Sequence, residues 1–288
     1  MKLFVRDLTV IDSSYLDPIR GFVGESYQVD IVLEGSLNAE AMLLDFSLVK
    51  KQIKAIIDAQ VDHKLLVPIK ADNCDIEQQQ LRTQVDFKLT DNTYIQLKCP
   101  HQAYCLLDVT SISIEAIEDY LQEIILKQLP ENICGLEVHL HAENIATPYY
   151  HYTHGLKKHG GNCQRIAHGH RSKIDIFVEG IYSPTLVEKW ALRWQDIYLL
   201  SQEDKIDVSD LSFMLKDKTT NYIASAYHAQ QGYFELLIAA SRVDILPKDT
   251  TVEELAVFIC GQIKKQQCDN TQVTVYAYEG IGKGAIAE

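Results

Sequence analysis

The sequence predicts an α+β fold made of two tandem modules, each a four-stranded antiparallel sheet with helices on one face. Three observations carry this expectation. At 288 residues the chain has room for two domains of ordinary size, each with its own core. A segment beginning at Tyr94 (YIQLKCPHQAYCLLDVTSISIEAIEDYLQEI) is echoed by one beginning at Tyr233 (YFELLIAASRVDILPKDTTVEELAVFICGQI). Strand-like and helix-like stretches also follow one another in the same order in both halves. A repeat of this length is a duplicated domain, since solenoid units run about 20 to 50 residues.

Each module opens with a strand pair: KLFVRDLTV with SYQVDIVLEG in the first, IATPYYHY with SKIDIFVEG in the second. A helix follows. In the first module it is FSLVKKQIKAIIDAQV, with Phe46, Val49, Ile53, Ile56 and Ile57 on one stripe; in the second it lies near TLVEKWALRW. A later helix starts on a small polar residue in each copy, Ser113 ahead of Ile114, Ile117 and Leu121, and Thr251 ahead of Val252, Leu255 and Ile259. Ser and Thr suit an N-cap because their hydroxyls accept from an otherwise unpaired helical N–H. The last strands are LEVHLHAEN and TQVTVYAYEG. The turn-prone NIATPYYHY separates the copies, giving modules over residues 1–146 and 147–288. Two strand-like insertions, TQVDFKLTDNTYIQLKCP and NYIASAYHAQQGYFELLI, interrupt the pattern.

A net charge of −13 speaks against nucleic-acid binding, which needs clustered cations to meet phosphates. No apolar run approaches a membrane span, and MKLFVRDLTVID lacks the apolar stretch of a signal peptide, so a cytoplasmic protein without membrane association is expected. Seven cysteines with no C-x-x-C argue against a disulfide framework or a zinc knuckle. One stretch departs from the acidic average: Lys157, Lys158, Arg165, Arg171 and Lys173 occur with no intervening acid, so an anion would be drawn there.

The same stretch holds the densest chemistry. His151, His154, His159, His168 and His170, half of the ten histidines, surround Cys163. If the strand SKIDIFVEG extends back through His168-Gly169-His170, the two imidazoles share one face, because side chains alternate along a strand. A third imidazole from the preceding strand would complete three nitrogen ligands and leave a fourth position open, as in catalytic zinc sites. The competing reading, solvated loop histidines beside a basic run, is about as common for an arbitrary cluster. A generic zinc hydrolase would want a nearby acid as base, and residues 151–174 contain none.

The segment is similar to the 6-pyruvoyl and 6-carboxytetrahydropterin synthase family, which carries H-x-L on its first strand, a Cys in the loop and H-G-H opening the second strand. Here these are His154 with Leu156, Cys163, and His168-Gly169-His170. Further matches are divided between the copies. The first has Asp45-Phe46 with Lys50, and Asp62-His63 with Leu66; the second has Thr251, Glu253 and Ala256 on its helix, and Glu279 after its last strand. Where the family has its histidines, the first copy reads Val23-Gly24-Glu25, with Ser14 at the place of the other ligand. The second lacks an Asp-His pair.

The resemblance implies two T-fold (tunnelling-fold) modules in a homo-oligomer, with the active site shared between one module's metal half and the other's Asp-His half. It implies zinc on His154, His168 and His170, Cys163 as base in a relay with His63 and Asp62, and Glu279 and Thr251 contacting the substrate. That substrate would be 7,8-dihydroneopterin triphosphate, its phosphates near Lys157, Lys158 and Arg165, and the product 6-carboxy-5,6,7,8-tetrahydropterin, a queuosine precursor, or 6-pyruvoyl-tetrahydropterin. The alternative is a pterin-binding scaffold that keeps fold and metal without turnover. Either Glu143 or Asn144 would match Glu279 in the first copy. The terminal Glu279-Gly-Ile-Gly-Lys-Gly run is too close to the end for the helix that a phosphate loop needs.

Overall fold

The computed structural model describes residues 1–37 and 41–288, with the side chains of 48 and 49 not described. The N-terminal half runs β1 (Lys2–Asp17), β2 (Gly21–Gly35), α1 (Phe46–Gln60), β3 (Leu65–Pro68), β4 (Cys74–Gln78), β5 (Arg82–Lys88), β6 (Tyr94–Pro100), β7 (Tyr104–Leu107), α2 (Ile114–Leu126) and β8 (Ile133–Ala142). The C-terminal half runs β9 (Tyr149–His154), β10 (His168–Val178), β11 (Ile181–Tyr182), α3 (Pro184–Trp194), β12 (Ile197–Ser201), β13 (Lys205–Ile206), β14 (Tyr222–Ala229), β15 (Gly232–Ala239), β16 (Val243–Leu246), α4 (Val252–Lys264), β17 (Val273–Tyr278) and β18 (Gly284–Ala287). None of these helices is long and apolar enough to cross a membrane.

The helices form where periodicity and caps place them. Ser113 Oγ accepts from the Ala116 N–H at 3.2 Å and Thr251 Oγ1 from the Glu254 N–H at 3.4 Å, each holding an orphan donor of its helix's first turn. Ile117, Leu121 and Ile125 of α2 are buried, as are Leu255, Ile259 and Ile263 of α4. On α1 the stripe is shorter than its pattern suggests: Ile53, Ile56 and Ile57 are buried, Phe46 is exposed at the helix start, and the Val49 side chain lies outside the described residues.

Four antiparallel strands per module understate the sheets. The first is five-stranded, β7-β3-β1-β2-β8, with β3 and β7 added in parallel beside β1. The second is seven-stranded, β16-β12-β9-β10-β17-β18 with β11 on β10, and adds β12 and β16 in parallel beside β9. Of these short additions β3 and β12 follow α1 and α3, and β7 and β16 precede α2 and α4, parallel pairings that local alternation does not reveal. Helices α1 and α2 bury one face of the first sheet around Ile31, Leu33 and Ile57, and α3 and α4 cover the second around Ile174, Trp194 and Ile259.

The two insertions build a third sheet together, in the order β13-β14-β15-β6-β5-β4. Its central pairing joins the halves, Glu235 opposite Lys98 and Leu236 opposite Leu97. Beneath it lies a core drawn from both: Leu16, Phe22 and Val67 from one half pack with Ile166, Tyr198 and Leu200 from the other.

Side chains that alternate away from the helices meet along the seam. Ser14 Oγ and Thr153 Oγ1 lie 2.7 Å apart, fully buried, and the His151 Nδ1–H donates to the Gly24 carbonyl at 2.7 Å. Gly24 and Gly169 make the approach possible. A Cβ at Gly24 would stand 1.9 Å from the Tyr152 oxygen, and one at Gly169 would stand 2.7 Å from the Gly24 Cα. Gly24→Ala is therefore expected to cost about 1–3 kcal/mol through backbone overpacking. Gly261→Ala, in a helix with nothing within 4 Å of the added methyl, should be neutral or stabilising. Thermal denaturation of both variants checks this; equal melting temperatures would contradict it.

Candidate active site and metal centre

Strand β10 begins at His168, so the H-G-H segment is extended and both imidazoles project to one side, as alternation requires. The antiparallel register sets His154 opposite His168 and Tyr152 opposite His170. All three histidines are completely buried, and one ligand atom from each lies within 4.8 Å of the others. The Nδ1 atoms of His154 and His168 face outward to acceptors, and that of His170 lies beside a carboxylate without a hydrogen bond to it. His168 Nδ1 lies 3.1 Å from the Arg165 carbonyl, His154 Nδ1 lies 3.0 Å from the Thr250 carbonyl and 3.1 Å from its hydroxyl, and His170 Nδ1 lies 3.2 Å from Asp12 Oδ1.

The Nε2 atoms are left to face the centre. Those of His154 and His170 are 3.4 Å apart, and His168 Nε2 is buried with no hydrogen-bond partner. Burial holds His154 and His168 well below the usual histidine range, the adjacent imidazoles adding to it, so both are neutral. Three imidazole nitrogens converging on one point, one of them orphaned, suit a cation. Zinc–nitrogen bonds of about 2.0–2.1 Å in a tetrahedron put ligand atoms about 3.4 Å apart, matching the one pair closest here.

The Asp-His half arrives from the other end of the fold. Asp62 and His63 follow α1, and His63 turns the chain with a left-handed φ of 53° while its N–H donates to the Asp12 carbonyl at 2.7 Å. Asp62 Oδ2 lies 2.6 Å from His63 Nδ1, and the other oxygen accepts from the Asp12 N–H at 2.8 Å. Ligand atoms of His63, Cys163 and His168 lie within 4.8 Å of one another, and the His63 and His168 rings are 5.0 Å apart. Burial alone would push the His63 pKa down, but Asp62 and Cys163 outweigh it and raise it to about 10. His63 is thus an imidazolium beside the Cys163 sulfur.

The loop carrying Cys163 is held by the third sheet. Tyr227 O–H donates to the Gln164 carbonyl at 2.9 Å, the Gln231 N–H to Gln164 Oε1 at 2.6 Å, and Arg165 Nε–H to Gln231 Oε1 at 3.0 Å. Buried Arg165 also donates to the carbonyls of Asp62 and His63, both at 3.3 Å. Glu279 Oε1 comes within 3.6 Å of His170 Nε2. Thr251 stays in its helix cap, and its neighbour Thr250 is the residue that reaches His154.

Other expectations change. Lys157 pairs with Glu203 and Asp204, and Lys158 with Glu203 and Asp249, so these two lysines of the basic run are neutralised by acids distant in sequence. The glycine-rich end folds back as β18, bringing Lys283 Nζ to Asp12 Oδ2 at 3.1 Å. Sequence reasoning missed Asp12, Ser26, Thr250, Gln231 and Lys283. Their partners lie far along the chain, and no local motif marks them.

The symmetric counterpart of this site, in the first half, is closed. Register places Tyr15 opposite Val23 as His154 is opposite His168, so Tyr15, and not Ser14, stands in the ligand's place. Val23 and Glu25 replace the other two. After α3 the positions of Asp62 and His63 are taken by Gln195 and Asp196; Asp196 shares the left-handed φ, 58°, and pairs in two-pronged fashion with Arg20. Glu25 is buried 3.6 Å from His151 and 3.9 Å from Arg171. Burial pushes Glu25 up to about 7 and His151 down to about 4.

The sequence profile of the 6-pyruvoyl tetrahydropterin synthase family matches this chain twice, over residues 21–149 and 144–288. The Pyrococcus abyssi protein named "Putative 6-carboxy-5,6,7,8-tetrahydropterin synthase" is 25% identical over 128 residues, 44% of this chain and 73% of its own. Its namesake in Pyrococcus horikoshii is 22% identical over 130 residues, 45% and 74%. The crystal structure of 6-pyruvoyl tetrahydropterin synthase from Plasmodium vivax aligns at a TM-score of 0.41 and 18% identity, over 50% of this chain and 92% of that one. The Plasmodium falciparum enzyme aligns at the same score with 17% identity, over the same shares.

The closed counterpart generates a pH prediction. A carboxyl group raised from 4.5 to about 7 on folding binds its proton more tightly in the folded chain, so stability is full below pH 4.5 and declines as pH rises towards 7. Glu25→Gln should remove this decline and leave the variant more stable than the parent at pH 8, by on the order of 3 kcal/mol at most. Urea denaturation at pH 5 and pH 8 measures it; identical pH dependence in both proteins would refute it.

Proposed function

This chain belongs to the 6-pyruvoyl tetrahydropterin synthase family, and on that premise we propose that it is a zinc-dependent carbon–oxygen lyase with tetrahydropterin synthase activity. It acts on 7,8-dihydroneopterin triphosphate. The product is 6-carboxy-5,6,7,8-tetrahydropterin or its 6-pyruvoyl counterpart, the former supported by the names of the Pyrococcus relatives. The observation that carries this reading is the meeting, within one chain, of Asp62 and His63 from the first half with Cys163 and the three buried histidines of the second. The division into copies falls between 146 and 147, in the stretch joining β8 to β9.

His154, His168 and His170 would hold the zinc through their Nε2 atoms. The metal, when bound, supplies Lewis-acid polarisation of a substrate oxygen. Cys163 takes a proton from the carbon next to that oxygen. The His63 imidazolium stabilises the thiolate before the transfer, and Asp62 orients the ring through its 2.6 Å contact with Nδ1. Glu279, at the edge of the cluster, accepts from the ring donors of the pterin, and Thr251, next in the chain to Thr250, is the second substrate contact. Gln231 and Tyr227 keep the Cys163 loop in place, so the insertions serve the site. The paired state of Lys157 and Lys158 leaves Arg165 as the nearer cation for phosphate.

Purified chain loaded with zinc is expected to convert 7,8-dihydroneopterin triphosphate, followed by chromatography of the pterins. Cys163→Ala and His63→Ala should each lower kcat by about 100-fold or more while keeping the metal. His168→Ala should lose both metal and turnover, with metal content read by mass spectrometry. Substrate bound but returned unchanged by the zinc-loaded parent would leave a pterin-binding protein and overturn the enzyme reading.

A further inference from the structure

Asp12 lies in the half of the chain that holds no metal ligands, yet it touches both Asp62-His63 and His170. It is 3% exposed. Its backbone N–H donates to Asp62 Oδ1 at 2.8 Å, and its carbonyl accepts from the His63 N–H at 2.7 Å. Its carboxylate faces the opposite way, with Oδ1 3.2 Å from His170 Nδ1. Two more groups hold that carboxylate: Ser26 O–H donates to Oδ1, and Lys283 Nζ donates to Oδ2 at 3.1 Å. The surroundings leave no slack, since a Cβ on Gly280, whose φ is +66°, would stand 2.6 Å from both Asp12 Oδ1 and Ser26 Oγ.

We propose that Asp12 is a positioning residue that couples the two halves of the site, its carboxylate set 3.2 Å from His170 Nδ1 so that Nε2 is presented to the metal, while its main chain sets the place of Asp62 and His63. This rests on the zinc reading above. The other two histidines present Nδ1 to neutral acceptors, the Arg165 carbonyl and Thr250. Only His170 faces a carboxylate. A carboxylate behind a metal-binding imidazole fixes its tautomer and orientation and raises its basicity, and loss of such a partner commonly weakens metal binding about 10–100-fold. The counterpart of Asp12 in the closed site is His151, whose carbonyl likewise accepts from the Asp196 N–H at 2.8 Å. The main-chain role is thus common to both halves. The carboxylate belongs to the working site alone.

The test is the zinc dissociation constant of the full chain, by competition with a chromophoric chelator, together with the visible spectrum of the cobalt-substituted protein. Asp12→Asn keeps the main-chain bonds and removes the charge. Zinc binding should weaken about 10–100-fold and the cobalt bands should shift. Ser26→Ala frees the carboxylate to rotate and should weaken zinc by about 3–10-fold, which keeps the inference testable if Asp12→Asn does not fold. A dissociation constant within about twofold of the parent and a superposable spectrum in the folded variants would overturn the role of Asp12 alone. A parent that takes up no more zinc than His168→Ala would overturn the metal reading, and this inference with it.

Discussion

The close approach of the two sheets at Gly24 and Gly169 is the constraint on which the rest depends. Strands bearing ordinary side chains stand too far apart for a residue of one half to reach into a site of the other. Here the missing Cβ atoms let backbone meet backbone, and Ser14 with Thr153 closes the contact by a buried hydroxyl pair. Only then do Asp12, Asp62 and His63 come within reach of His168, His170 and Cys163. The glycine of the H-G-H segment thus does more than separate two ligands.

A buried polar cluster is stable only when its groups are paired, because an unpaired charge in a low-dielectric interior loses its hydration without return. The two symmetric clusters meet this demand differently. In one, three imidazoles converge, His154 and His168 held neutral by burial, and the charges around them are shared among Asp12, Lys283, Asp62 and His63. In the other, Arg20 with Asp196, and Arg171 near Glu25, fill the space with ion pairs and tyrosines. The closed cluster is consequently a structural joint, and the open one keeps orphaned nitrogens for a ligand.

The third sheet turns a pair of modules into one body. Strands β6 and β15, equivalent in the repeat, pair with each other across the halves and cover a core made from both. Its β14–β15 hairpin then reaches the Cys163 loop through Gln231 in the turn and Tyr227 on β14. Cys163 itself lies in a stretch with little regular structure, where the thiol's position depends on such external contacts.

The sequence by itself determined the duplicated α+β plan, the N-caps at Ser113 and Thr251, the shared face of His168 and His170, and the complementary losses that assign the metal half to one copy and Asp62-His63 to the other. These follow from short-range rules: strand alternation, helical spacing, hydroxyl capping, and side-chain chemistry at fixed offsets. Tertiary structure decided the parallel strands at the sheet edges, the joint third sheet, Tyr15 in place of Ser14 at the lost ligand position, and the neutralisation of Lys157 and Lys158. It also decided that Asp12 stands behind His170. Each of these is a pairing between groups far apart along the chain, and which partner a strand edge or a buried charge finds is set by packing of the whole molecule. For Asp12, 158 residues from His170 by their numbers in the chain, no periodicity carries that information.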